Sequence, residues 1–103
     1  MGIFGSFSAI NRANKQLKII ERELDGLIEE IQSGNYYSAS SLRMKHQHIH
    51  RDIDVFINII LETRVSMQAP YFFKRQEFHP AALAEFLGRV MGELDKEITL
   101  RGG

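Results

Sequence analysis

The 103-residue sequence contains no cysteine. Disulfide bonds, thiolate metal sites and cysteine nucleophiles are therefore excluded, and this composition fits a reducing compartment. A net charge of either sign is also lacking, because 13 basic residues balance 13 acidic ones. Proteins that bind nucleic acid usually carry a basic excess, so no nucleic-acid partner is expected. Hydrophobic residues make up 44% of the chain, which is enough for a folded core.

Long apolar runs are absent as well. Asn58 separates Val55–Ile57 from Ile59–Leu61, whereas a membrane-spanning helix needs about 18 consecutive apolar residues. The first residues lack the basic start and the long apolar core of a secretory signal. We therefore expect a cytoplasmic protein without a membrane span. The length is typical of one domain, here residues 1–103.

Hydrophobic residues repeat along the first third of the chain in a seven-residue pattern, which predicts helix one over about 8–33. Ser8 is the expected N-cap, and Gly34 or Asn35 is expected to end the helix in a left-handed conformation. The apolar stripe consists of Ile10, Ala13, Leu17, Ile20, Leu24, Leu27 and Ile31.

Two further helices follow from the same periodicity. A serine cluster beginning at Ser38 offers the cap of helix two, over about 39–67, which ends before Pro70. Residues 68–79 form an aromatic connector. Pro80 then suits the first turn of helix three, over about 80–100, because proline needs no amide partner there.

The predicted fold is all-α, with helices one and two as a long antiparallel hairpin and helix three packed across it. The acidic second half of helix one would lie beside the basic start of helix two. Helix two is apolar on two sides towards its end, which is typical of a helix between two neighbours. Helix three is too short to cover the whole apolar seam of the long hairpin. A homodimer that forms a larger bundle is therefore expected.

A histidine row at the start of helix two is a candidate metal site. His46 and His50 are one turn apart, and Asp54 continues the row. Imidazoles and a carboxylate at this spacing suit zinc or copper. His46 also lies within the apolar stripe between Leu42 and Ile49, which favours a core histidine with a hydrogen-bond partner instead.

The same region contains an arginine followed by a histidine after four residues, Arg43 and His48. This spacing resembles the motif of the HEPN ribonucleases, in which four to six residues separate the two. The resemblance implies metal-independent RNA cleavage by Arg43 and His48. It covers six residues, and Met44 stands where the family carries a polar residue. Arg43 and His50 fit the pattern equally well.

Small residues recur every four positions in helix three, at Ala84, Gly88 and Gly92. Glycine within a helix costs about 1 kcal/mol relative to alanine, so the row predicts close approach of another helix. Packing within the chain is favoured over a second subunit. With the aromatic residues Tyr71, Phe72 and Phe73, this row supplies the candidate interaction residues.

Gly2 and Ser6 fit the N-myristoylation pattern, with packing of Ile3, Phe4 and Phe7 against the bundle as the alternative. No cofactor motif is present. The function expected from the sequence is a non-enzymatic helical protein–protein interaction module of the adaptor, chaperone-like or immunity-like kind. The alternative is an RNA-cleaving or metal-binding helical protein that uses the histidine row.

Overall fold

The computed structural model describes the backbone of residues 3–103 and the side chains of residues 7–103. The chain is 77% helical, so the fold is mostly helical, as expected, with a small two-stranded sheet in addition. Gly2, the candidate lipidation site, lies outside the described residues. The elements in chain order are α1 (Ile3–Ser33), α2 (Ala39–Ile60), α3 (Arg64–Gln68), β1 (Tyr71–Phe73), β2 (Gln76–Phe78) and α4 (Pro80–Leu100).

The predicted apolar stripe of α1 is buried along its length, with Ile10 half-buried. It packs against the apolar face of α2, and the two helices form the antiparallel hairpin. α4 also contacts mainly α2, so α2 lies between two neighbours, as predicted. Of the two residues on its second apolar side, Ile59 is half-buried and Val55 is exposed. The buried side chains of α2 and α4 are Leu42, His46, Ile49, Ile53, Phe56, Ile60, Pro80, Leu83, Leu87, Met91, Leu94 and Ile98.

Four of the six predicted helix termini are confirmed. α1 ends at Ser33, and Gly34 follows it with a φ of 72°. Ser38 caps α2 by a reciprocal pair of hydrogen bonds with Ser41. α4 runs over the predicted residues, with Pro80 in its first turn.

The predicted start of helix one is wrong. α1 begins at Ile3, and Ser8 is an exposed residue within it. A serine caps a helix only where the chain before it leaves helical geometry. No proline precedes Ser8 to force that departure, so the helix continues through it.

The predicted end of helix two is also wrong, because α2 stops at Ile60 and a separate short helix, α3, follows. Thr63 has an extended backbone and caps α3 by a reciprocal pair of hydrogen bonds with Ser66. The buried Ser66 hydroxyl donates to the Ile60 carbonyl at 2.8 Å. This side-chain network interrupts the helix where the hydrophobic pattern continues.

The aromatic connector contains a β-hairpin rather than irregular chain. β1 and β2 pair antiparallel, with Tyr71 opposite Phe78 and Phe73 opposite Gln76. The two-residue turn between them is Lys74-Arg75, and both residues have positive φ. Lys74 anchors the turn to α1, since its ammonium pairs with Asp25 and its backbone amide donates to Glu21.

Candidate functional site

An open groove of about 510 Å³ lies between α1 and α2. Leu27 and Ile49 form its apolar wall, and charged side chains surround it. Gly26 contributes to its width, because no side chain projects there from α1. The lining residues are Arg22, Glu23, Gly26, Leu27, Glu29, Glu30, Lys45, His48 and Ile49.

Two side chains of α2 and one side chain of α1 meet at one end of this groove. The Nε2 atom of His48 lies 2.9 Å from Glu23 Oε2 and 3.4 Å from Asp52 Oδ2. His48 and Asp52 are one turn apart on α2, and Glu23 reaches them from α1. One ligand-capable atom of each residue lies within 4.8 Å of the other two. We call Glu23, His48 and Asp52 the hairpin cluster.

The electrostatics of the hairpin cluster centre on Glu23. Burial raises the pKa of Glu23 to about 7, and a hydrogen bond with Asp52 and the negative charge of Asp52 add to the rise. Its Oε1 atom is buried and has no hydrogen-bond partner in the described part of the chain. The cluster therefore holds two carboxyl groups close together with only one imidazole between them.

Contacts on both sides of the hairpin cluster hold α1 and α2 in register. Lys45 donates to both carboxylate oxygens of Glu30, at 2.5 and 2.7 Å. This pair confirms that the acidic end of helix one lies beside the basic start of helix two. Gln16 donates to the backbone carbonyl of Asp52 at 2.9 Å. The hairpin cluster thus lies between two contacts that join α1 to α2.

The structure does not bring Arg43 and His48 together. Arg43 pairs with Asp95 and donates to Thr99 Oγ1 of α4 at 3.0 Å, whereas His48 faces Glu23 of α1. Five helical residues turn through about 140° beyond one full turn, so the two side chains project to different sides of α2. Arg43 and His48 are therefore engaged by different partners on different helices.

The predicted histidine row is likewise divided. His46 is buried, and its Nε2 atom lies 2.9 Å from the Met91 carbonyl, to which it donates. The prediction that His46 is a core histidine with a hydrogen-bond partner is therefore confirmed. His50 is exposed, with Nδ1 3.5 Å from Asp54. Among the described residues, His46, His50 and Asp54 do not form a group with ligand spacing, whereas the hairpin cluster does.

The row of small residues on α4 does not pack within the chain, which corrects the favoured prediction. Gly88 and Gly92 are exposed, and a Cβ added at either would meet nothing within 4 Å. Ala84 is half-buried. The reason is that the larger residues of α4, on the neighbouring face, fill the contact with α2.

The three aromatic candidates divide between core and surface. The buried Tyr71 packs edge-on against Phe56, and its hydroxyl donates to the Ser66 carbonyl at 2.7 Å. Phe73 is buried against Phe86. Phe72 points the other way and is 58% exposed, as alternation along a strand requires.

Sequence reasoning missed Glu23 and Asp52. One signal for Asp52 was present, since it stands four residues after His48. Glu23 precedes the seam residue Leu24 and so flanks the hairpin interface, where side chains reach the facing helix. Nothing in the charge pattern distinguishes it from the neighbouring acidic residues of α1.

Comparisons with known proteins give no match for this chain, whether with family models, with curated proteins or with solved structures. Within the described residues, every helix is too short or too polar to cross a membrane. The site is therefore interpreted from its geometry alone.

Proposed function

We propose that the protein is a non-enzymatic helical interaction module that self-associates through α4. In the complex, α4 of one copy packs antiparallel against α4 of a second copy. The single observation that carries the proposal is the exposure of Gly88 and Gly92 on a regular helix, with open space around both. An adaptor, chaperone-like or immunity-like role would use the same kind of surface.

Two glycines in the middle of α4 lower its stability, by about 1 kcal/mol each relative to alanine. Neither has a positive φ, and neither has a neighbour that a methyl group would displace. Nothing in the fold of the monomer therefore requires glycine at these two positions. Close approach of a second helix backbone gives one, because no side chain then separates the two helices. A second copy presents the same small surface at a two-fold axis.

The charges beside the glycines favour an antiparallel pair. Glu85, Arg89, Glu93 and Lys96 flank Gly88 and Gly92, and each of these four side chains is at least 70% exposed. A two-fold axis near residue 90 places Gly88 of one copy level with Gly92 of the other. It also places Glu85 within about one residue of Lys96, and Arg89 within about two residues of Glu93. A parallel pair would set like charges together.

The elongated shape also supports association. The radius of gyration is 15.1 Å, whereas a compact chain of this length has about 13 Å. An elongated monomer leaves more of its surface uncovered relative to its core. A second copy along α4 would cover part of that surface.

The test is the molar mass in solution, measured by light scattering during size-exclusion chromatography at high micromolar concentration. We expect twice the 11.9 kDa of the chain. Gly88→Leu and Gly92→Leu are expected to give monomers, since their side chains separate the two helices. Because neither site is crowded in the monomer, both variants should keep the helical circular dichroism spectrum.

Gly26→Leu is the matched control. Gly26 is also an exposed helical glycine with open space around it, but it lies on α1, so this variant should remain dimeric. Arg89→Glu should weaken the dimer, and adding Glu93→Arg should restore it. A strictly monomeric wild type would overturn the proposal, as would an equal effect of leucine at position 26.

A further inference from the structure

We infer that the hairpin cluster, Glu23, His48 and Asp52, is a binding site for one divalent transition-metal cation of the zinc type. The inference is independent of self-association, because none of the three residues lies on α4. It also differs from the predicted histidine row, which used His46, His50 and Asp54. The site is formed only when α1 packs against α2.

The spacing of the ligand atoms fits a single cation. Zinc binds imidazole nitrogen and carboxylate oxygen at about 2.0–2.2 Å, so ligand atoms around a tetrahedral ion lie roughly 3.4 Å apart. His48 Nε2 lies 2.9 Å from the Glu23 oxygen and 3.4 Å from the Asp52 oxygen. Small rotations of these side chains would therefore give metal-ligand distances without movement of either helix.

The chemistry of the cluster also fits a cation. One nitrogen and two carboxylate oxygens form a donor set that zinc and other divalent transition metals accept. The buried, unpartnered Oε1 atom of Glu23 lacks the compensation that a polar group needs away from water. A bound dication would balance the negative charge of both carboxylates.

No basic side chain in the described region already fills this role. Lys45, on the same groove, is engaged by both oxygens of Glu30. Arg22 also lines the groove, but its side chain is exposed and forms no ion pair with Glu23 in the described structure. Because Glu23 and His48 also line the groove, a fourth ligand position is open to water from that side.

The test is calorimetric titration of Zn²⁺ into the full chain after removal of metals with EDTA, together with thermal unfolding. We expect one Zn²⁺ per chain and a higher Tm with zinc, since a ligand specific to the folded state stabilises it. His48→Gln and Asp52→Asn should each weaken binding by roughly tenfold or more. Glu23→Gln, which preserves side-chain volume, should do the same.

The matched control is the neighbouring pair on the same helix. His50 and Asp54 have the same one-turn spacing as His48 and Asp52, and His50 is about as exposed as His48, but they have no third ligand from α1. His50→Gln and Asp54→Asn should therefore leave zinc affinity unchanged. Equal losses from both pairs would overturn the assignment, as would the absence of binding by the wild type.

A second measurement avoids dependence on the folding of the variants. In the wild-type chain, zinc should shift the imidazole nitrogen resonances of His48 in NMR spectra, while those of His46 stay in place because its ring is bonded to Met91. If zinc shifted the resonances of His50 or His79 but not those of His48, the result would contradict the inference. Molar mass measured with and without zinc should be unchanged, which separates this site from the proposed dimer contact.

Discussion

The three histidines at the start of α2 show how strongly position on a helix determines the role of one residue type. Successive members of His46, His48 and His50 are two residues apart, which turns each side chain by about 200° from the one before. His46 therefore enters the core, and His48 faces α1. His50 returns towards the side of His46 but stays exposed. The predicted row of His46, His50 and Asp54 is thus divided by burial, and His48, which lies outside that row, is the histidine that reaches carboxylates of both helices.

Tyr71 is a residue at which one hydrogen bond can be tested without changing the packing. Its hydroxyl donates to the Ser66 carbonyl in a fully buried position. Tyr71→Phe preserves the edge-on contact with Phe56 but leaves that carbonyl without this donor. We expect the free energy of unfolding at neutral pH to fall by about 1 kcal/mol, measured by urea denaturation.

The same substitution has a pH dependence of known sign. Burial raises the pKa of Tyr71 above its usual value, so the phenol ionises first in the unfolded state. The unfolded state is therefore favoured as the pH rises through about 10. Tyr71→Phe lacks this loss, so the difference between wild type and variant should shrink between pH 9 and 11. A constant difference over that range would contradict the burial of the phenol.

At the scale of the elements, the helices with a strong apolar period were predictable and their interruptions were not. The stripe of α1 and the whole of α4 follow from spacing, proline and glycine. The break between α2 and α3 depends instead on Thr63 and Ser66, whose hydroxyls compete with the helix for backbone groups. That competition is decided by tertiary contacts, since Ser66 is buried beneath Tyr71.

The β-hairpin escaped prediction for a related reason. Two-residue hairpin turns usually contain glycine or asparagine, which tolerate positive φ, whereas Lys74 and Arg75 stand here. The contacts of Lys74 with Glu21 and Asp25 of α1 compensate for this backbone conformation. Such contacts join residues about 50 positions apart, so a local pattern does not reveal them.

Only part of the hairpin cluster could be predicted from the sequence. His48 and Asp52 share a helix, and their one-turn spacing is visible in the sequence. Their partner Glu23 is one of several acidic residues on α1. Only the register of the hairpin selects Glu23, and that register depends on the buried side chains of both helices, among them Leu24 and Ile49.

The cap of α3 provides a prediction at this scale. Thr63→Val keeps the shape of the side chain but removes the oxygen that accepts the Ser66 amide at 3.0 Å. We expect a loss of about 1 kcal/mol in the free energy of unfolding. Amide hydrogen exchange should accelerate within Arg64–Gln68, while protection in α2 stays unchanged. Ser38→Ala, at the cap of α2, should instead accelerate exchange in the first turn of α2. If both variants gave the same exchange pattern, the two helices would not be capped separately.

At the scale of the whole molecule, α1 sets the length. Its 31 residues rise through about 46 Å, close to the longest dimension of 49 Å. Ion pairs fasten the two ends of α2 to different neighbours. Arg12 of α1 binds both oxygens of Glu62 just beyond the end of α2, and Arg43 at its start binds Asp95 of α4. The Arg43 contact thus joins α2 to α4 near the C-terminal end of α4.

Arg43 is therefore expected to contribute to stability, in contrast to the catalytic role that its spacing from His48 implies. We expect Arg43→Gln and Asp95→Asn each to destabilise the protein, and the double variant to be less destabilised than the sum. The coupling energy should be roughly 0.5–1 kcal/mol for this partly exposed pair. Urea denaturation of the four proteins gives the cycle. The bidentate Arg12–Glu62 pair serves as the comparison and should couple at least as strongly, because two parallel hydrogen bonds hold its geometry. Additive effects of Arg43 and Asp95 would mean that their contact does not join α2 to α4.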